Sequence, residues 1–270
     1  MSSTFGLEGK RALVIGGAGP GIGGASSRTL ADAGASVAVA DRDKSKADEL
    51  ADKLRANGAK CVGLEVDVRD PAAVEQVVAG AAAALGGLDS LVTVVGGHTL
   101  FAPWARVDET TDADWDQIVL MNLGYVFRVV RAALRQFLAQ GEGGTIVSVG
   151  SISGLVSSPY AAAYGASKAG LANFTKSVAL EYARDNVRMN MVACGVIVTD
   201  AAAAVNSTTL GMAEAVPMGR LGRPDEVGSA VAFLASPASG YVTGQVLTID
   251  GGVASRFPLR VPKAPSHAAG

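Results

Sequence analysis

The sequence predicts a doubly wound α/β protein, with one parallel sheet of about seven strands and helices on both faces. Short runs rich in Val, Ile and Leu alternate along the chain with longer segments that carry charges. That alternation is the order of strands and crossover helices in such sheets. In addition, 34 Gly and 48 Ala stand among the 270 residues. Small residues let helices lie close to a sheet, or let a backbone approach a ligand.

Each apolar run is short and nearly free of polar residues, as in parallel strands that helices cover on both sides. The runs predict strands at Arg11–Gly16, Ser36–Ala40, Lys60–Val66, Ser90–Val95, Thr145–Val149, Arg188–Ala193 and Val246–Ile249. The segments between them predict helices at Gly21–Ala33, Lys44–Asn57, Pro71–Leu85, Asp112–Gln140, Tyr160–Arg184 and Pro224–Ala235. Pro71 and Pro224 suit a first helical turn, and Gly34 and Gly58 suit positions just after a helix.

The alternation continues without a linker or an internal repeat, so we predict a single domain over residues 1–270. Its core is expected at residues 7–252. The tail at residues 253–270 contains three prolines and predicts little regular structure.

Charge and cysteine content exclude several classes of protein. The formal net charge of -2 leaves no basic footprint for nucleic acid or for an anionic membrane. Cys61 and Cys194 are far apart, which favours neither a disulfide framework nor a zinc site, and the two histidines do not suggest another metal. No signal-like apolar stretch opens the chain. We therefore expect a cytoplasmic protein without nucleic-acid or membrane partners.

A glycine-rich turn follows the first predicted strand. Gly16 to Gly24 stand between that strand and a predicted helix, where a helix N-terminus and close backbone approach favour a pyrophosphate. The segment fits a GxGxxG pattern through Gly19, Gly21 and Gly24. It also fits a GxxxGxG pattern through Gly17, Gly21 and Gly23, which we prefer because its first glycine lies nearer the strand. The alternative is a glycine-rich turn that binds nothing.

Asp41 ends the second predicted strand, twenty residues after Gly21. A carboxylate there accepts hydrogen bonds from ribose hydroxyls and repels a 2′-phosphate, which favours NAD over NADP. Arg42 follows directly and argues in the other direction if it faces a phosphate.

Ser151, Tyr164 and Lys168 form the second constellation. Ser151 stands in Val149-Gly150-Ser151, at the end of the fifth predicted strand. Tyr164 and Lys168 share one helix face at i, i+4 spacing. An ammonium group near a phenol lowers the pKa of the phenol, which can then exchange a proton with a substrate oxygen. The Ser151 hydroxyl can hold the same oxygen. A YxxxK pair by itself is more often an ordinary surface pair.

Together these residues resemble the short-chain dehydrogenase/reductase family over about residues 7–252. The family pattern of a TGxxxGxG turn, an NNAG segment, an Asn, a Ser and YxxxK is matched by Gly17, Gly21 and Gly23, Asn122, Ser151, Tyr164 and Lys168. Asp67, in Val-Asp-Val, resembles the acid that contacts the adenine. Residues 195–199 resemble the PGxxxT segment that holds the carboxamide, and residues 219–227 and 244–252 also resemble the family.

The resemblance implies a Rossmann-type fold, bound NAD and hydride transfer to or from a substrate carbon. It implies that Tyr164 is the general acid/base and that Lys168 lowers its pKa while binding the nicotinamide ribose. Ser151 then orients the substrate oxygen, and Asn122 holds a water of the proton relay. The implied cofactor contacts are Gly17, Gly21, Ile22, Gly23, Asp41, Asp67, Val68, Gly96, Tyr164, Lys168, Ile197 and Thr199. Family members form tetramers or dimers, and we expect a homotetramer or another homo-oligomer.

The chain departs from the family pattern at three places. Gly16 stands where the family has Thr, Thr93-Val94-Val95-Gly96 stand for NNAG, and Cys194 stands for a Pro. The absent asparagines support the sheet and the cofactor-side turn in the family, so that support must be rebuilt or absent here. None of the departures falls on the four catalytic positions, and we expect activity to survive.

Three segments are candidates for the substrate side: residues 98–104, 155–160 and 200–218, the last as a lid. Residues 143–167 and 201–219 contain no Arg or Lys, which favours a neutral, fairly hydrophobic secondary alcohol or ketone, with a cyclic or steroid-like compound among the options. His98 is a candidate substrate contact or an ordinary packed residue. One alternative function is an NADPH-dependent reductase of 3-oxoacyl thioesters. The other is a dinucleotide-binding regulatory protein without turnover.

Overall fold

The structure, a computed structural model, describes residues 5–198 and 209–255, with only the backbone of residues 209–211. The strands are β1 Arg11–Ile15, β2 Ser36–Asp41, β3 Cys61–Glu65, β4 Ser90–Thr93, β5 Gly144–Ser151, β6 Val187–Cys194 and β7 Val246–Ile249. The helices are α1 Ile22–Asp32, α2 Lys44–Ala56, α3 Pro71–Leu85, α4 Asp112–Val119, α5 Tyr125–Gln140, α6 Ala162–Glu181, α7 Thr209–Ala215 and α8 Pro224–Ala235.

The strands form one parallel sheet in the order β3-β2-β1-β4-β5-β6-β7. Chain order reverses between β1 and β4, which leaves a crevice at the carboxyl ends of these two strands. Open α/β sheets bind their ligands at such a switch point. The predicted doubly wound sheet of seven strands is confirmed.

Successive residues of each strand face opposite sides of the sheet and enter two separate cores. Leu13 and Ile15 of β1 pack with α3, α5 and α6, whereas Ala12 and Val14 pack with α1, α2 and α8. This is the two-residue period of a strand that is buried on both faces. It explains why the strands read as continuous apolar runs in the sequence.

The helices differ from the prediction in the middle of the chain. Residues 112–140 are predicted as one helix, but a π-helical turn at Leu120–Gly124 separates α4 from α5. The helix predicted from Tyr160 to Arg184 begins at Ala162 and ends at Glu181. Tyr160 cannot belong to it because its φ of 63° is left-handed. Its carbonyl accepts a hydrogen bond from the Ala105 N–H.

The Asp112–Gln140 stretch is, by length and composition alone, apolar enough to cross a bilayer. More than half of its most apolar window is buried within the protein, where α5 packs against α3. This burial is the pattern of a core helix. Of the predicted lid at residues 200–218, residues 200–208 lie outside the described part of the chain. The same holds for the tail after Ser255.

Candidate active site

The glycine-rich turn brings backbone into contact with backbone. A Cβ on Gly17 would lie 2.8 Å from the Val14 carbonyl oxygen, and one on Gly23 would lie 1.7 Å from that of Gly16. Helix α1 starts at Ile22 after its N-cap, Gly21, and no side chain caps its first N–H groups. These groups and the positive end of the helix remain available to an anion such as a pyrophosphate. Gly24 is equally tight against Gly19, so glycines of both patterns are needed.

A cavity of about 510 Å³ opens beside this turn. Its lining includes Asp41 at the end of β2, Asp67 and Val68 after β3, and Gly16 and Gly96 after β1 and β4. The structure therefore brings five of the predicted or flanking cofactor positions to the crevice at the sheet's switch point. The volume of the cavity fits a dinucleotide, and the glycines beside it let a ligand approach the backbone closely.

Two carboxylates and two guanidinium groups line this cavity where β2 and β3 end. Asp41 accepts hydrogen bonds from the backbone N–H groups of Ala18, at 3.4 Å, and Asp43, at 3.1 Å. Asp67 forms an ion pair with Arg69. The Arg69 hydrogen bonds lower the pKa of Asp67 to about 2, and the charge of Arg42 contributes. Both Arg42 and Arg69 therefore stand near the end where an adenosine would lie.

Ser151 and Tyr164 meet at the carboxyl end of β5. The Ser151 Oγ accepts a hydrogen bond from the Ser153 N–H at 3.1 Å, and the Ser151 side chain lies close enough to the Tyr164 hydroxyl to lower its pKa. The pKa of Tyr164 is nevertheless raised, because burial outweighs the effect of Ser151. The effect of Lys168 on this pKa stays a prediction, because the net direction in the protein without its cofactor is upward and burial is the largest cause. Desolvation of the phenolate dominates there.

Lys168 is a buried cation beneath the tyrosine. Its Nζ lies 5.6 Å from the centre of the Tyr164 ring and donates a long hydrogen bond, 3.4 Å, to the Val149 carbonyl. None of the ion pairs found within residues 5–198 and 209–255 includes it. Burial lowers the pKa of Lys168 to about 8. Its remaining N–H donors are free for ribose hydroxyls.

Asn122 lies in the π-helical turn and is fully buried. Its Nδ2 donates to the carbonyl oxygens of Gly97 and Ile118, both at 2.9 Å, and its Oδ1 accepts from the Gly97 N–H, also at 2.9 Å. The side chain thus fixes both polar groups of Gly97. A Cβ on Gly96 would lie 2.7 Å from this Oδ1 and 3.2 Å from Lys168 Nζ, so a side chain at this position would crowd both Asn122 and Lys168.

Support for the turn after β4 is rebuilt by other side chains. The Tyr125 hydroxyl donates to the Val95 carbonyl at 2.6 Å, and the Thr93 Oγ1 donates to the Ser148 Oγ at 2.9 Å. Tyr125 is a site residue that the sequence reasoning missed. The signal available was its position three residues after Asn122, on the same helix face.

The other two departures also have physical reasons. Gly16 has a φ of 76°, and a Cβ there would lie 2.7 Å from the Val95 side chain, so a threonine does not fit this turn. Cys194 is the register partner of Ser151. Burial raises the pKa of its thiol to about 12, and at neutral pH the thiol is a packing group.

Aromatic side chains line the open side of Tyr164. The His98 ring lies 6.3 Å from the Tyr164 ring and 4.7 Å from the Trp104 ring. His98 Nε2 contacts the Pro103 carbonyl at 3.1 Å, and burial lowers the pKa of His98. The rings of Trp104 and Tyr160 are exposed. Among the residues that the structure describes, aromatic rings therefore line the mouth of the site.

The remaining predicted positions are only partly covered. Ile197 is buried and bridges to Gly222. Thr199 lies outside the described residues. Among the residues that are described, no three His, Cys, Asp or Glu side chains are grouped so that they could hold a metal ion.

Comparison with known proteins gives matches over nearly the whole chain. The family model described as enoyl-(acyl carrier protein) reductase matches residues 17–254. Cis-4-hydroxycyclohexanecarboxylate dehydrogenase of Sinomonas cyclohexanicum is 39% identical over 90% of this chain and 96% of its own length. The 3-oxoacyl-[acyl-carrier-protein] reductase FabG of Vibrio cholerae is 41% identical over 92% of this chain and 98% of its own length.

Several solved structures are similar in both fold and sequence, among them a short-chain type dehydrogenase/reductase from Mycobacterium marinum. Another is a gluconate 5-dehydrogenase from Burkholderia cenocepacia in complex with NADP and tartrate. It superposes with a TM-score of 0.85 at 34% identity and covers 93% of this chain and 97% of its own.

Proposed function

The chain belongs to the short-chain dehydrogenase/reductase family and is an NAD(P)-dependent oxidoreductase, and from this premise we propose its reaction. The protein transfers a hydride between NAD and a neutral, fairly hydrophobic secondary alcohol or ketone. The observation that carries the proposal is the arrangement of Ser151, Tyr164 and the buried Lys168, whose Nζ lies 5.6 Å from the centre of the Tyr164 ring, together with a dinucleotide-sized cavity whose lining includes Gly96.

The residues of the cavity fit the cofactor. The uncapped start of α1 and the side-chain-free turn at Gly17 and Gly23 would hold the pyrophosphate. Asp41 and Asp67 would bind the adenosine, and Lys168 would donate to the nicotinamide ribose. When bound, the cofactor supplies the hydride or accepts it, and its oxidised ring adds a positive charge near Tyr164.

The protein's own residues move the proton. Burial holds Tyr164 in its protonated form, which is the form that gives a proton to the oxygen of a ketone. Ser151 holds that same oxygen. In the oxidation direction the phenolate is required, and the Lys168 ammonium 5.6 Å from the ring favours it. Asn122 fixes Gly97 beside Lys168 and so keeps the site's shape.

The preference for NAD rests on Asp41. Its carboxylate lines the cavity and would both bind ribose hydroxyls and repel a 2′-phosphate. Arg42 and Arg69 line the same end and favour NADP if the phosphate reaches them. We favour NAD because the Arg69 guanidinium is already paired with Asp67 and is therefore less available to a 2′-phosphate.

The substrate class rests on the mouth of the site. Trp104 and Tyr160 present exposed rings there, and Arg106, two residues after Trp104, is paired with Asp108. A cyclic secondary alcohol fits such a mouth. The similarity to cis-4-hydroxycyclohexanecarboxylate dehydrogenase supports a cyclic secondary alcohol, whereas the carboxylate in that name does not support a neutral substrate.

The test is a panel of cyclic and linear secondary alcohols and ketones, assayed with NADH, NADPH and their oxidised forms. Turnover of a neutral cyclic member with NAD, reduced at least about 100-fold in Tyr164→Phe, supports the proposal. A control variant, Tyr241→Phe, changes an exposed ring and should leave turnover unchanged. Absence of turnover on every member contradicts the proposal and favours a non-catalytic dinucleotide-binding role.

A second candidate is NADPH-dependent reduction of 3-oxoacyl thioesters. Arg42 at the cavity and the similarity to the FabG reductase of Vibrio cholerae favour it. The same panel separates the two candidates when it includes an acetoacetyl thioester. A rate with NADPH and this thioester that exceeds every rate with NADH establishes the second function.

A further inference from the structure

We propose that Tyr125 is a positioning residue whose hydroxyl holds the turn Val95–Gly97 in the shape that receives the cofactor. The inference rests on the proposed function only in taking this turn as part of the cofactor site. Val95 and Gly96 line the cavity, and the Val95 carbonyl accepts the Tyr125 hydrogen bond. Tyr125 itself is not among the cavity's lining residues, so it acts through the turn.

The Tyr125 hydroxyl is a polar group within an apolar core. Tyr125 is 1% exposed and packs among the side chains of α3, α5 and the sheet. Its hydrogen bond of 2.6 Å to the Val95 carbonyl is short. A buried phenol keeps its oxygen only where the oxygen is hydrogen-bonded. A phenylalanine would fill the same space without this requirement.

Two side chains from one helical stretch hold the turn at both ends. Asn122 binds the N–H and carbonyl groups of Gly97, and Tyr125 binds the carbonyl of Val95. Asn122 lies in the π-helical turn and Tyr125 begins α5 directly after it. Gly96 lies between the two points of attachment, and a Cβ built on it would lie 3.2 Å from Lys168 Nζ.

Loss of the Tyr125 hydroxyl frees one end of the turn. The Val95 carbonyl would then be buried without its partner and would rotate to find another. Gly96, at a φ of 154°, has no side chain to resist this rotation. The movement would change the cavity wall and the surroundings of Lys168 together. A residue that only fills the core would change neither.

The experiment compares Tyr125→Phe with Tyr182→Phe. The second variant removes a hydroxyl just after the C-terminal end of α6, next to the same core. NADH binding is measured by fluorescence titration without substrate, and unfolding is followed by circular dichroism. We expect Tyr125→Phe to weaken NADH binding about tenfold, which corresponds to about 1.4 kcal/mol, at a temperature where both variants are folded. The pH at which turnover is half-maximal should also shift. Tyr182→Phe should change neither.

Unchanged NADH affinity and an unchanged pH profile in folded Tyr125→Phe overturn the proposal, whatever the loss of stability. If Tyr125→Phe is not folded in buffer alone, the wild type and both variants are titrated in sucrose, which stabilises the folded state. Weaker NADH binding by Tyr125→Phe under those conditions supports the proposal, and unchanged binding overturns it. The titration needs no substrate. Wild-type protein that binds NADH but turns over no alcohol or ketone refutes the proposed reaction and leaves this inference standing.

Discussion

Replacement of Lys168 by Met should stabilise the protein while removing its activity. Lys168 is an amine with 3% exposure and has no acidic partner among the described residues. Burial lowers its pKa from 10.5 to about 8. At neutral pH the chain therefore folds with a charged group in a place that disfavours charge. Methionine has nearly the same length and needs no hydration.

The size of the effect follows from the shift in pKa. A difference of about 2.5 pKa units corresponds to roughly 3 kcal/mol between the charged and neutral forms. The long hydrogen bond to Val149 returns about 1 kcal/mol of this, which leaves a gain of roughly 2 kcal/mol for the variant at pH 7. In a chain of this size that gain raises Tm by roughly 4 to 8 °C.

The pH dependence gives the sign. Between about pH 8 and pH 10.5 the unfolded chain binds a proton at Lys168 that the folded chain has released. The free energy of unfolding of the wild type therefore rises with pH in this window. The advantage of Lys168→Met is full below about pH 8 and should disappear near pH 10.5.

Differential scanning calorimetry of the cofactor-free protein at pH 7 and pH 10 measures this. Lys176→Met, at an exposed position of the same helix, is the control and should alter the free energy of unfolding by no more than about 0.5 kcal/mol. A Lys168→Met variant that is less stable than wild type at pH 7, or whose advantage is the same at both pH values, refutes the reasoning. Turnover should fall at least about 100-fold.

Two further substitutions test the cofactor site. Gly23→Ala places a Cβ 1.7 Å from the Gly16 oxygen, so these atoms must separate by about 1.5 Å. Both Tm and NADH affinity should therefore fall. The control is Gly80→Ala, in α3 with open space around its Cβ, which should instead raise Tm by about 2 °C. Equal effects of the two changes in melting and titration experiments would contradict the close-contact argument. Asp41→Asn should shift the ratio of kcat/KM for NADPH over NADH upward by at least about tenfold, whereas Asp52→Asn, on the outer side of α2, should leave it unchanged. A lower ratio in the first variant would show that Asp41 does not face the ribose.

Sequence reasoning succeeded where a pattern has one physical cause. Apolar runs predict strands because both faces of a parallel strand are buried, and β7 is found at its predicted bounds. Strands β5 and β6 extend past their predicted ends because they pair with each other as far as Ser151 and Cys194. Polar residues at these ends are read as loop in a sequence and are accepted in a paired strand.

The π-helical turn is a feature that the apolar pattern of the sequence does not predict. The apolar spacing of residues 112–140 is that of one continuous helix, and a wider turn adds no residue type that marks it. Its effect is to rotate Asn122 and Tyr125 onto the turn after β4. The protonation of Tyr164 was also beyond the sequence, since it depends on how deeply the folded protein buries the ring.

The division of the interior into two cores has a consequence for engineering the protein. The core behind α1, α2 and α8 supports the turn that would hold the pyrophosphate, whereas the core behind α3, α5 and α6 supports Tyr125 and the helix of Tyr164 and Lys168. The sheet lies between them as a partition. Packing changes behind α1, α2 and α8 therefore act first on the pyrophosphate turn, whereas changes behind α3, α5 and α6 reach both the Val95–Gly97 turn, through Tyr125, and the helix of Tyr164 and Lys168. A library aimed at pyrophosphate binding alone should draw its positions from the core behind α1, α2 and α8.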